Sequence, residues 1–132
     1  MNIPELIMYW QNGYVNAWET AGILYKNKRY SDCLFFGHIT LEKVLKAYVV
    51  RHTKKQAPYT HNLSFLHDLA ELGLPEEELD LLDTVNDFNI RARYPEQKFS
   101  FYKKCTRSYT KEYVNRIVRL YVILCRRITQ KR

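Results

Sequence analysis

Between Ser31 and Arg51 the apolar residues fall on two sides of a helix at once. Leu34, Leu41, Leu45 and Tyr48 mark one side, and Cys33, Phe36, Val44 and Ala47 the other. A helix at a protein surface carries one apolar stripe, whereas a helix apolar on two flanks has to be covered on both. The chain is therefore expected to fold around this segment as a central helix, with Ser31 as its N-cap.

The remaining segments read as cover. Ile3, Ile7, Trp10, Tyr14, Ala17, Ala21 and Tyr25 recur every three to four residues and mark one face of a first helix, with Pro4 in its first turn. Lys26-Asn27-Lys28-Arg29 breaks that pattern. The stretch from Thr53 to Pro58 is a basic loop, because Pro58 disfavours helix before it. A short helix is expected from near Asn62 to Leu72, with Leu63, Leu66, Leu69 and Ala70 inward and Gly73 as its stop. Pro75 before Glu76, Glu77 and Glu78 is a helix start, since carboxylates favour the positive end of the helix dipole. Its buried stripe is Leu79, Leu82, Val85 and Phe88, and Tyr94-Pro95 ends it. After an irregular stretch around Glu96 to Phe101, a last helix from Arg107 to near Ile128 presents Tyr113, Ile117, Leu120, Leu124 and Ile128. The expected fold is all-α: an up-and-down bundle of four main helices plus a short fifth, the first two and the last two packed antiparallel, in one domain spanning 1–132. A homodimer is expected.

With 46% hydrophobic residues in 132, the chain can bury roughly two thirds of its unfolded surface. The start of the chain has no basic stretch followed by an apolar run, and its longest apolar runs, such as Leu120 to Leu124, fall far short of the roughly 20 residues that span a bilayer. A soluble, cytoplasmic protein with no membrane partner is the expectation. Cys33, Cys105 and Cys125 are odd in number and widely spaced, which argues against disulfides and a zinc site. The net charge of +7 is uneven. From Lys98 to Arg132 there are eleven Lys or Arg residues and one acid, Glu112, whereas Glu71 to Asp87 holds seven acids and no base. A basic end can face a polyanion, stay solvated, or dock on a neighbour's acidic helix.

Three polar motifs stand on this helical background: His38-Ile39-Thr40-Leu41-Glu42-Lys43-Val44-Leu45-Lys46-Ala47, then Pro58-Tyr59-Thr60-His61-Asn62-Leu63, then Asn89-Ile90-Arg91-Ala92-Arg93-Tyr94-Pro95. In this order, after a first helix with Trp10, Ala17 and Ala21, they resemble the HEPN family of small helical domains across nearly the whole chain. The resemblance implies a helical bundle, often dimeric, tied to RNA cleavage, to nucleotide or nucleic-acid binding, or to partnership with a small nucleotidyltransferase. Ribonuclease members use an Arg followed by four to six residues and then a His. No Arg here has a His at that distance, so neither that apparatus nor its tyrosine-bearing version carries over.

Each motif has a structural and a chemical use. Glu42 and Lys46 are spaced for an ion pair with His38 one turn before, a row that can hold helices together or move protons. Thr60, His61 or Asn62 can cap a helix, and His61 can bond another helix or meet an anion beside Lys54 and Lys55. Arg91 and Arg93, next to Tyr94, can satisfy helix-end carbonyls, pair with Glu42 or hold phosphate. On the last helix Arg116, Arg119, Arg126 and Arg127 cluster within about a third of the circumference, a ridge that can neutralise phosphates or keep the bundle soluble. Phe99, Phe101, Tyr102, Lys103, Lys104, Arg107 and Tyr109 interleave aromatic and basic residues, a mixture that stacks bases or builds an interface. No Walker loop, GxGxxG, HExxH or nucleophile elbow occurs, and no catalytic residue, metal or cofactor is expected. The leading expectation is a module without the ribonuclease motif that binds RNA, a nucleotide or another phosphate-bearing ligand through Arg91, Arg93, Lys54, Lys55 and the basic last helix. The alternatives are an assembly module partnering a nucleotidyltransferase and a metal-independent ribonuclease using His61 or His38.

Overall fold

The computed structural model describes residues 1–129, which form six α-helices and no strand. Lys131 and Arg132, part of the basic end, lie outside the described residues. α1 spans Ile3–Lys26 and α2 spans Tyr30–Thr53. The first begins with a reciprocal cap: Asn2 Oδ1 accepts from the Glu5 N–H at 2.9 Å, and Glu5 Oε1 accepts from the Asn2 N–H at 3.1 Å. The two helices form a hairpin through Asn27, Lys28 and Arg29, with Lys28 in the left-handed region at φ 61°. α2 opens one residue before Ser31, with Arg29 at the cap position and no side-chain cap bond, so Ser31 belongs to its first turn.

α3 (Leu63–Ala70) is shorter than its apolar pattern suggests, because Glu71 at φ 50° and Gly73 at φ 62° turn the chain toward α4 (Glu76–Arg93). The stretch expected to be irregular is helical: α5 spans Pro95–Lys104, with Pro95 in the first turn and Lys103 and Lys104 at the C-terminal end, where a helix dipole favours cations. Its one buried side chain, Phe101, seats it against Phe88 at 5.5 Å between ring centroids. α6 (Arg107–Thr129) completes the bundle.

α2 is the centre, and it touches each of the other five helices. Fourteen of its 24 residues are buried, which is why its sequence is apolar on two flanks. α6 packs mainly on α2 and more loosely, antiparallel, on α4: Phe88 near the end of α4 meets Tyr113 near the start of α6 at 5.2 Å between ring centroids, and Glu77 and Asp80 near the start of α4 share a cleft with Arg116 and Arg119 further along α6. The α2–α6 approach is close at Gly37, where a Cβ would stand 2.9 Å from Ile117 Cδ1. Tyr48 donates its hydroxyl to the Leu124 carbonyl, and Tyr121 meets Tyr14 and Trp18 of α1 at 5.7 and 5.5 Å between centroids. Cys33 and Cys105 are free and buried, and burial pushes their thiols up to about 11 and about 12. Among the described residues no helix is long and apolar enough to cross a membrane.

Candidate functional site

The three sequence motifs meet in one hydrogen-bonded line. Glu42 and Lys46, one turn apart on α2, pair at 3.0 Å, and the ammonium lies 5.1 Å from the Trp10 ring centroid. The other Glu42 oxygen accepts from His61 Nδ1 at 2.8 Å. His38 Nε2 donates to the His61 carbonyl at 2.8 Å, and its Nδ1 accepts from the Asn89 amide at 3.4 Å. Asn89 Oδ1 in turn accepts from Arg93 at 3.3 Å. These partners assign one tautomer to His38, with the proton on Nε2. Burial, only partly offset by the bond to the His61 carbonyl, lowers its pKa to about 4, so the ring is neutral at pH 7.

Burial decides what this line can do. His38 is 0% exposed, Asn89 4%, Lys46 5% and Glu42 6%, and each has a partner. A charge so enclosed is held for structure, since a ligand would have to displace a partner already in place. His61, with a side chain 36% exposed, is the member that reaches solvent, and its Nε2 has no protein partner among the described residues. The helix start beside it is capped by Asn62, which leaves His61 as an interhelix bond.

Arg93 carries the line toward a groove between the α1–α2 turn and α5. One part, about 550 Å³, is lined by Lys28, Arg29, Ser31, Asp32, Pro95, Lys98, Phe99 and Tyr102. A neighbouring part of about 410 Å³ shares Ser31, Asp32 and Lys98 and adds Leu24, Phe35, Phe36, Ala92, Arg93 and Phe101. Phe99 is 65% exposed and Tyr102 66%, three residues apart on one face of α5. Lys103 lies 4.3 Å from the Phe99 ring centroid, and Arg29 pairs with Asp32 at 3.2 Å. Lys28, Arg29, Lys98, Phe99 and Tyr102 thus form a basic and aromatic concavity. The sequence signal for half of it, the aromatic and basic run from Phe99, is plain. The other half, Lys28 and Arg29, reads only as a helix break.

The other candidates sit apart. Arg91 bonds Ser100 at 3.0 Å and covers the Phe101 ring at 5.5 Å, holding α5 to α4. Tyr94 is half-exposed at the α4–α5 junction. Lys54 and Lys55 are exposed beyond the C-terminal end of α2, roughly 35 Å along that helix from its groove end. Arg116 and Arg119 line a separate cleft of about 200 Å³ with Glu77, Glu78 and Asp80, so part of the basic ridge faces the acidic start of α4. No group of three or more His, Cys, Asp or Glu among the described residues could hold a metal ion.

Compared with known families, residues 16–128 match the model of the HEPN domain. No curated protein and no solved structure matches the chain.

Proposed function

This chain belongs to the HEPN domain family, and we propose that it is a non-catalytic member that binds RNA or a nucleotide in the groove between the α1–α2 turn and α5. The observation that carries this reading is the exposure of Phe99 and Tyr102 beside Lys28, Arg29 and Lys98 around a concavity of about 550 Å³. Pockets of about 300–1,000 Å³ suit small ligands. A base stacks on an aromatic face whatever its sequence, and the cations meet its phosphate. Arg29 has to share or leave Asp32 to do so. Catalysis is left out because no Arg in the sequence has a His four to six residues beyond it, and because His38 is sealed and neutral.

The test is to mix the protein with end-labelled single-stranded RNA at low and moderate salt and to read retardation and integrity on gels. Intact RNA, retarded and released by salt, is expected. Phe99→Ala should weaken binding by about 5- to 100-fold, the range for one lost stacking contact. Lys98→Glu should weaken it further and flatten the salt dependence, while Lys54→Glu leaves it nearly unchanged. Cleavage that disappears with His61→Ala would overturn the reading in favour of a ribonuclease. RNA neither retarded nor cut would favour the assembly reading, with a small nucleotidyltransferase as the partner that the family suggests.

A further inference from the structure

The groove between the α1–α2 turn and α5 is basic, yet it contains an acid. Asp32 Oδ2 pairs with Arg29 at 3.2 Å, its Oδ1 has no partner among the described residues, and its side chain is 47% exposed. A carboxylate repels phosphate, so its place beside a phosphate-bearing ligand requires a hydrogen-bond donor on that ligand.

We infer that the groove takes a two-nucleotide step of single-stranded RNA, one base in each of its two parts, and that Asp32 selects ribose over deoxyribose by accepting from the 2′-hydroxyl of the linking sugar. The inference rests on the groove reading proposed above and names its ligand. The groove is two chambers with a common wall. The outer chamber, about 550 Å³, presents Phe99 and Tyr102, and the inner one, about 410 Å³, is walled by Leu24, Phe35, Phe36 and Phe101. Each alone has the size that holds one small ligand. The residues common to both are Ser31, Asp32 and Lys98, a hydroxyl, a carboxylate and an ammonium.

That wall matches the link between two nucleotides. Single-stranded RNA splays its bases apart and lays them on aromatic side chains. Two bases seated in adjoining chambers leave the sugar and phosphate between them over the wall that the chambers share. Lys98 there meets the phosphodiester, which positions the strand without reading it. The phosphodiester offers Asp32 no donor, and neither do the faces of the bases. The linking 2′-hydroxyl does, and DNA lacks it. A base seated in either chamber turns its sugar, not its far edge, toward the shared wall, so the carboxylate reads sugar rather than base. Arg29 steadies the carboxylate through Oδ2 and leaves Oδ1 for the hydroxyl.

The test is titration calorimetry of the whole chain at low salt with three ligands: the dinucleotide ApA, the chimaera in which only the linking sugar is deoxyribose, and AMP. ApA should bind about 10- to 100-fold tighter than the chimaera, the range for a hydrogen bond to a charged group. AMP, which fills one chamber, should bind more weakly than ApA. Asp32→Ala, with its fold checked by circular dichroism, should weaken ApA but strengthen the chimaera, because it removes a negative charge beside the phosphate and frees Arg29. A residue that only props the groove would shift both ligands the same way. ApA and the chimaera bound alike by the wild type, AMP bound as tightly as ApA, or Asp32→Ala weakening both dinucleotides equally would each overturn the inference and leave the groove reading standing. No binding of any of the three would overturn the groove reading itself, and the inference with it.

Discussion

Asn62 and Asn86 close the start of α3 between them. Asn62 Oδ1 accepts from the Phe65 N–H at 3.1 Å and from Asn86 Nδ2 at 3.3 Å, while Asn86 Oδ1 accepts from the Leu63 N–H at 2.8 Å. Two of the helix's free amides are thereby satisfied by side chains that also bond each other. Asn62→Ala should cost about 1–2 kcal/mol, and Asn86→Ala about 1–3 kcal/mol because it strands the N–H of fully buried Leu63. Urea unfolding checks both, and the double variant should cost less than the two together, as expected for residues sharing one network.

Glu42 compensates a buried ammonium and an imidazole at once. Glu42→Ala should destabilise by about 3–5 kcal/mol, since it leaves Lys46, 5% exposed, without its counter-charge. Glu42→Leu combined with Lys46→Met should cost markedly less than Glu42→Ala, because no unpaired charge is then buried. Equal losses in denaturant unfolding would mean that the pair carries no such coupling.

His38 makes stability depend on pH in a defined window. Its pKa is about 4 in the folded chain against an ordinary value of 6.5, so between those values the unfolded chain binds the extra proton. Its contribution is complete above pH 6.5 and is lost as pH falls toward 4, a total of about 3 kcal/mol. Unfolding midpoints at pH 7.5, 6 and 5 should decline accordingly, and His38→Gln, which cannot titrate, should flatten that decline.

Two glycines in helices should respond with opposite sign. Gly22→Ala meets open space and gains about 0.5–1 kcal/mol from the reduced freedom of the unfolded chain. Gly37→Ala drives a methyl to 2.9 Å from Ile117 Cδ1, and Ile117 is fully buried, so overpacking of about 1–3 kcal/mol outweighs the same gain. Thermal melts of the two variants separate them.

Much of the fold was legible because its signals are local. The doubled apolar pattern from Cys33 to Tyr48 marked the central helix, and Pro75 with its three glutamates marked the start of α4. α5 was not legible, since a helix that buries only Phe101 has no periodic stripe to read, and the long-range choice of α2 as the bed for α6 leaves no trace in either helix alone. For the site, the spacing of Glu42 and Lys46 foretold their contact, but nothing near Asn89 in sequence says that it faces His38, 51 positions away. Lys28 and Arg29 looked like a break in a helix because their use depends on α5 arriving beside them.

The buried thiols have a practical consequence. At neutral pH Cys33 and Cys105 are both protonated and enclosed, so an alkylating reagent meets neither until the core opens and the pKa relaxes toward its ordinary value. One lies at the start of α2 and the other between α5 and α6. The rate at which each is labelled therefore acts as a clock on its own region, and a lag between the two clocks would show the groove's α5 wall lifting away before the central helix gives way.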